Sequence, residues 1–353
     1  MRQAPLRHIA FTAAFLMLIF VVPIAGFLTT DTITIKSENR NATTLSNVQE
    51  ALGSVEVFTT LDAYLADQFG FRPQFIKFEM AIKSLLPSNY KSLVYKGKNE
   101  WRYLRDSIKT YEGSKTGFEG LLQNIRYLRE QTPENVPIFF VLVPNKAFVY
   151  EDNLPDGVRI GEYRRNFLVQ MNNIQGVQTF DLLPTLKESQ KPTHMRYETH
   201  WNGWGAYIAY KAIGNWLNQF GLNLTLKDID SLTEEPHSGD LAKMVGLKGK
   251  LFDGRNYAVL QNKTAQKLPQ KAYAPEGEFV PDYKNDDASL KLFLLHDSFV
   301  QHFLGEYLAE SFGHIIANWT FALNKEVARI QEQKPDVVLL IYVDRHLSEF
   351  HQE

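Results

Sequence analysis

Cysteine is absent from the 353 residues. That removes disulfide frameworks, thiolate zinc sites, iron–sulfur clusters and thiol nucleophiles together. Net charge is almost absent too: Lys+Arg 38 against Asp+Glu 40 leaves −2. Such a balance argues against wrapping nucleic acid, which needs a basic surface. No internal repeat is present. Uncharged apolar runs of membrane length are scarce, and the clear one lies at the N-terminus. What is there is ordinary for a globular chain: 44% hydrophobic, 13% aromatic and 22% charged residues. This excludes disordered, collagenous and fully membrane-embedded classes. The length suffices for one large domain or two ordinary ones with a real core, and without disulfides that core must hold the fold alone.

Arg2, Arg7 and His8 precede the uncharged run Ile9–Leu28. As a helix its twenty positions span roughly 30 Å, one bilayer core. Basic residues before it predict a cytoplasmic N-terminus and an exported remainder. A cleaved signal peptide is the competing reading. However, Pro23-Ile24-Ala25 and Ile24-Ala25-Gly26 both lack a small residue at −3, so an uncleaved anchor is expected over residues 1–30. Lys36–Asn47 is polar and small, and residues 31–58 read as a tether ahead of a domain over 59–353.

Leu61–Leu86 reads as two amphipathic helical pieces split by Gly70 and Pro73, and Val94–Leu104 as a hairpin turning on Gly97 and Asn99. Helices are expected at Phe118–Glu130, Gly161–Asn173, Gly203–Phe220, Phe299–Phe312 and Asn324–Gln333. Strands are expected at Pro137–Val143, Val177–Asp181, Leu290–Leu295, Gly313–Asn318 and Asp336–Val343. Buried strands alternating with helices indicate an α/β fold around a mostly parallel sheet. Ser231–Asp287, with scattered Gly, Pro and Lys, reads as an insertion. Working residues in such sheets sit beyond the carboxyl ends of strands, which nominates Asn145, Lys146, Asp181, the segment after Leu295, Asp344 and Arg345.

His296-Asp297-Ser298-Phe299 falls between an apolar strand and a helix. A serine at that corner projects its hydroxyl above the sheet edge, and its N–H lies where helix polarity favours an oxyanion. Asp and Ser are equally ordinary N-cap residues, so a purely structural role stands beside the catalytic one. Glu198 and His200 are two residues apart in Tyr197-Glu198-Thr199-His200-Trp201. In extended backbone they point the same way, so the carboxylate can take the imidazole Nδ1–H and leave Nε2 as a base. A serine, a histidine and a carboxylate on sheet-end loops together suit nucleophilic catalysis. A metal reading with His194, Glu198 and His200 is the weaker alternative, because the spacing is not that of a helical metal motif. His237-Ser238 is a rival pair, disfavoured because sequence neighbours rarely reach triad geometry.

Seven segments in order resemble the alginate O-acetyltransferase family of AlgJ and AlgX proteins, which carries an SGNH-hydrolase-like domain. LADQFGFRPQFIKF is similar to its D-x-F-G-F-R segment through Asp67, Gly70 and Arg72. VYKGKNEWRYL matches at Gly97, Lys98 and Trp101, and VPNKAFVYEDNLP at Pro144, Lys146 and Tyr150. YETHWNGWGA resembles D-x-H-W-x-x-x-G-A, SGDL at Ser238–Leu241 recurs in the family, and HDSF resembles G-D-S-F. KPDVVLLIYVDRHL is similar to the terminal strand ending in E-R-x-L, with Arg345 matching.

The resemblance implies a permuted three-layer SGNH-like sandwich and a catalytic triad of Ser298, His200 and Glu198. It further implies contacts to substrate or oxyanion from Lys146, Arg345 and Asp297, with no cofactor and no metal. The implied protein is a periplasmic enzyme, single-pass in the bacterial inner membrane, that acetylates hydroxyls of an exopolysaccharide. A membrane-bound O-acyltransferase would supply the acetyl groups. The chain departs from the pattern at Glu198 for Asp, His296 for Gly and Asp344 for Glu. Restoring the family residue with Glu198→Asp is therefore expected to be tolerated or to improve turnover. An acetyl esterase, or an impaired polysaccharide-binding scaffold, are the alternatives. Trp101, Trp201 and Trp204 are candidates for stacking on sugars or for core packing.

Overall fold

A computed structural model of the chain describes residues 11–12, 15–21, 34–35, 40–54, 56–68, 93–105, 107–108, 117–269 and 281–350. The chain divides into two compact units, Met1–Ser92 with Lys243–Gly246, and Leu93–Ala242 with Leu247–Glu353. Of the expected anchor over 9–28, only 11–12 and 15–21 are among the described residues. No helix among the described residues is long and apolar enough to cross a membrane.

In the first unit, part of the expected tether is helical. Thr44 opens a helix at Leu45–Glu50 with its N–H donated to Asn47 Oδ1 at 2.9 Å. A second helix, Val57–Asp67, ends where the Asp67 carboxylate accepts the Thr43 N–H at 2.8 Å, so the two pieces fold onto one another. The second amphipathic piece expected around Phe75–Leu85, with Gly70 and Arg72, lies outside the described residues.

The second unit opens with a small hairpin, β1 (Val94–Lys96) and β2 (Arg102–Leu104), paired antiparallel. Among the described residues its central sheet has seven strands. In chain order they are β3 (Ile138–Val143), β4 (Val177–Asp181), β7 (Gln266–Lys267), β8 (Tyr283–Lys284), β9 (Lys291–His296), β10 (His314–Trp319) and β11 (Val337–Val343). In space they run β4-β3-β11-β9-β10-β8-β7. The first five in that spatial order pair in parallel, and the two short edge strands pair antiparallel.

The apolar runs IFFVLV and VVLLIYV are buried along their whole length. Alternate residues of a strand point to opposite faces, and each face has its own core. Phe139, Val141 and Val143 join Leu292, Leu294, Leu339 and Ile341 beneath α3 (Gly203–Asn218). Ile138, Phe140 and Leu142 join Phe293, Leu295, Leu340 and Tyr342 against α1 (Glu119–Gln131) and α2 (Tyr163–Met171). Each such fully buried side chain contributes about 1.5–3 kcal/mol, and this two-sided burial serves where disulfides do not. The result is an α/β fold around a mostly parallel central sheet.

Two expectations need correction. The segment read as an insertion contributes the edge strands β7 and β8, and also a long antiparallel ribbon, β5 (Ile229–His237) with β6 (Asp253–Leu260). Its polar sequence conceals the strand period. The single helix expected over 299–312 is broken. A wide turn at Val300–Leu304 leaves helical geometry at His302 (φ −86°, ψ 81°) and Phe303 (φ 73°, ψ −38°) before α4 (Gly305–Ala309) begins. A helical apolar period continues across such a bulge and hides it.

Candidate active site

β9 delivers Ser298 to the carboxyl edge in the middle of the sheet. The corner is pinned by Asp297, whose carboxylate is fully buried. Its Oδ1 accepts the Phe299 N–H at 2.9 Å, and its Oδ2 accepts the Val343 N–H at 2.6 Å from β11. His346 Nδ1 lies 3.1 Å from the same Oδ2. Burial opposes ionisation of Asp297, but the His346 hydrogen bond and charge outweigh it and hold the group below the usual carboxylate range. Asp297, expected near substrate, is thereby committed to the backbone of the serine corner. His296 is likewise turned inward, with Nδ1 2.8 Å from the Asp297 carbonyl. Ser298 is left partly exposed, at a helix start where its own N–H has no partner one turn back.

Glu198 and His200 arrive on the loop that leads into α3, whose first turn is capped by Asn202 accepting the Gly205 N–H at 2.9 Å. His200 Nε2 lies 2.9 Å from Ser298 Oγ, and His200 Nδ1 lies 3.0 Å from Glu198 Oε1. With a carboxylate as the Nδ1 acceptor, that nitrogen carries the proton, and Nε2 accepts from the serine hydroxyl. The chain runs outward from a buried carboxylate, through an imidazole with little exposure, to a part-exposed hydroxyl.

Glu198 is fixed at both oxygens. Oε1 also accepts the Thr199 N–H at 3.1 Å; Oε2 accepts the Asp240 N–H at 3.1 Å and faces His237 Nε2 at 3.5 Å. Burial raises its pKa, but hydrogen bonds from His200 and His237 and the His200 charge prevail and hold it well below the usual range. The loop carrying Asp240 comes this close because residue 239 is glycine: a Cβ there would stand 2.2 Å from the Tyr197 carbonyl oxygen. Asp240 in turn accepts the Thr199 N–H at 2.8 Å and the Thr199 hydroxyl. Burial, and then the neighbouring Glu198 charge, push it up to about 6.

Lys146, also expected to touch substrate, is spent elsewhere. Its buried ammonium donates to the carbonyls of Met195 (3.1 Å), Arg196 (3.0 Å) and Glu198 (2.7 Å), beneath the loop that carries the imidazole. Burial lowers its pKa to about 7, with the Asp240, Glu198 and Asp253 charges resisting. Trp101 and Tyr103 pack over the ammonium, each with its ring centroid 5.5 Å away. Arg345 lies with its guanidinium 5.3 Å from the Phe299 ring centroid, and its Nη1 is buried without a hydrogen-bond partner among the described residues. Asp181 and Asp344, the other nominated carboxylates, are drawn to Arg164 on α2 rather than to His200. Arg164 pairs with Asp344 at 2.9 Å and contacts Asp181 directly, while Asp344 also accepts the Asn145 N–H at 3.1 Å.

Glu198, His200 and Asp240 present ligand atoms within 4.8 Å of one another. Their lone pairs and protons are engaged with each other, with backbone N–H groups and with Ser298, as described, so the cluster is organised as a hydrogen-bonded relay. His194 stands outside it, buried with Nδ1 3.1 Å from Thr193 Oγ1. Its imidazole is held neutral, by burial first and then by the Lys146 charge. Ser238 Oγ accepts the Gly249 N–H at 2.9 Å, while its neighbour His237 faces Glu198.

The family model for the SGNH hydrolase-like domain of the acetyltransferase AlgX matches residues 94–319. The chain belongs to this acetyltransferase family. Solved structures of similar fold include the O-acetyltransferase domain of Pseudomonas putida AlgJ (17% identity, 73% of this chain and 93% of that one, TM-score 0.53). Bacillus cereus PatB1 with a sulfonyl adduct is another (18%, 74% and 100%, TM-score 0.54). A third is a DHHW family protein from Eubacterium siraeum (16%, 71% and 89%, TM-score 0.54). At these identities the likeness carries the fold. A search of curated protein sequences finds no match to the chain.

Within this AlgX-like domain, three contributors escaped the sequence. Arg164 is one of two adjacent arginines inside a helical pattern, and nothing in the pattern marks which one turns inward. His237 was visible only as a neighbour of Ser238. His302 lies in the unforeseen bulge. Trp201 is fully buried, with Nε1–H donated to the His302 carbonyl at 2.8 Å, which makes it a packing residue.

Proposed function

We propose that the chain is an exported, membrane-anchored O-acetyltransferase that moves acetyl groups onto hydroxyls of an exopolysaccharide. The observation that carries this reading is the continuous relay from Glu198 through His200 to Ser298 at the sheet's carboxyl edge, in a chain of an acetyltransferase family. Ser298 Oγ attacks the acetyl carbonyl carbon while its proton passes to His200 Nε2. The Ser298 N–H at the helix start, with Arg345 nearby, stabilises the oxyanion. The donor's oxygen leaves with the proton from His200, and Ser298 carries the acetyl ester. A sugar hydroxyl then gives its proton to His200 and takes the acetyl group, and Ser298 recovers its hydrogen.

Basic residues ahead of the apolar run 9–28 support export with a cytoplasmic N-terminus. A membrane-bound acyltransferase is the donor partner expected on this reading. Hydrolysis of p-nitrophenyl acetate by wild type and Ser298→Ala tests the chemistry, and mass spectrometry of an oligosaccharide incubated with donor and enzyme tests the acceptor. Acetylated sugar is the expected product. Free acetate alone assigns an esterase, and no turnover of either kind assigns a scaffold. A C-terminal alkaline phosphatase fusion is expected to be active; a silent fusion contradicts export.

A further inference from the structure

The bulge that interrupts the helix after Ser298 places a second imidazole flat against His200. The two rings have centroids 3.9 Å apart and planes inclined by 19°. On the same ring Phe299 packs at 4.9 Å and 52°. His302 reaches this position from backbone outside the helical region, followed by a phenylalanine at φ 73°. A bulky side chain there is strained and persists only where the surroundings fix it. Part of that fixing is visible: the His302 carbonyl accepts the indole N–H of Trp201, the residue next to His200. One strained turn thus ties the helix that carries the nucleophile to the loop that carries the base.

We propose that His302 is a positioning residue that clamps the His200 ring by stacking, and that the clamp matters most once Ser298 is acetylated. This rests on the catalytic reading of Ser298 and His200. Before acylation, two hydrogen bonds fix the His200 edges, to Glu198 and to Ser298. When Ser298 becomes an ester its oxygen has no proton to donate, so the Nε2 side loses that bond. The Nδ1 bond alone is a pivot. Contact over the ring face then keeps Nε2 directed at the incoming hydroxyl. His302 suits the task because burial, and then the His200 charge, lower its pKa to about 3 against the pull of Glu198. A neutral ring can lie against an imidazolium formed on His200 during turnover without like-charge repulsion.

The test is pre-steady-state and steady-state hydrolysis of p-nitrophenyl acetate by wild type, Ser298→Ala, His302→Ala and His302→Phe, with thermal unfolding of each. Misplacing a reacting group by about 1 Å costs on the order of 10²-fold. His302→Ala is therefore expected to lower kcat by roughly 10- to 100-fold with KM falling in step, so that kcat/KM, which reports acylation, changes by no more than about twofold. It should keep a burst of first-turnover product, since acylation begins from the doubly bonded ring. His302→Phe retains a flat ring and is expected to recover most of kcat. Wild-type kcat in His302→Ala overturns the proposal, and so does an equal loss in the alanine and phenylalanine variants when both fold. Turnover by Ser298→Ala at the wild-type rate is a separate failure, of the catalytic reading itself.

Discussion

Among the described residues, two charge clusters that lie along the carboxyl edge of one sheet end in different ways. Around Arg164, the guanidinium pairs with Asp181 at the end of β4 and with Asp344 beyond β11, and Asp344 also holds the backbone of Asn145 beyond β3. Charges face each other and the cluster closes on itself. Around His200, the carboxylate is equally buried, but its hydrogen bonds lead in one direction and end at Ser298, which reaches solvent. The residue types alone do not separate the two clusters, since both combine carboxylates with nitrogen donors. What separates them is a proton path with an open end.

The largest expected effect breaks the open end. Ser298→Ala should fold, since it removes only the part-exposed hydroxyl bonded to His200, and losing one such hydrogen bond costs only ~1 kcal/mol, yet lose essentially all ester turnover. Wild-type turnover in that variant contradicts the assignment. Next is the closed cluster. Arg164→Met leaves two carboxylates without their cation and should cost about 3–5 kcal/mol in denaturant unfolding. An unchanged midpoint would mean that the pairs contribute nothing.

Glu198→Gln should lower kcat on the order of 10²–10³, and should also lower the unfolding temperature, because one gripped oxygen becomes an N–H donor. A nearly unchanged kcat would transfer the orienting role, with Asp240 the nearest candidate. The structure also revises the expectation for Glu198→Asp. Both Glu198 oxygens are already gripped, by Thr199 N–H and His200 on one side and by Asp240 N–H and His237 on the other. The extra methylene has a built counterpart, so shortening it should reduce turnover roughly 10-fold. Improved turnover would show that the grip is dispensable.

The smallest effect is a pH dependence of stability. Asp240 is raised from its ordinary 3.8 to about 6. The native state therefore binds more protons than the unfolded state between those values, and stability falls as pH rises through that window. Asp240→Asn keeps an acceptor for Thr199 and cannot ionise. Its stability relative to wild type should grow by about 1–3 kcal/mol from the acid to the neutral end. A constant difference between the two proteins contradicts the raised pKa.

Most of the parallel strands were legible because they are short runs of β-branched, aliphatic or aromatic residues bounded by polar ones; IFFVLV and VVLLIYV leave little choice. Ser298 and the Glu198–His200 pair were legible because strand–Ser–helix and alternating carboxylate–imidazole are local patterns. What the sequence hid is set by distance along the chain. Arg164 meets Asp344 across 180 positions, and His302 meets His200 only because the helix between Ser298 and Gly305 breaks. Lys146 was legible as a strand-end residue, but its ammonium turns beneath the loop because three carbonyls converge there. None of these meetings has a local signal.

The central claim is that Ser298 carries the acetyl group between donor and acceptor. Intact-mass measurement after brief incubation with p-nitrophenyl acetate tests it most directly. Wild type should gain one acetyl group, on the peptide containing Ser298, and Ser298→Ala should gain none at that site. An equal gain in both proteins, or acetate transfer by a wild type that never carries an acetyl group, would contradict it.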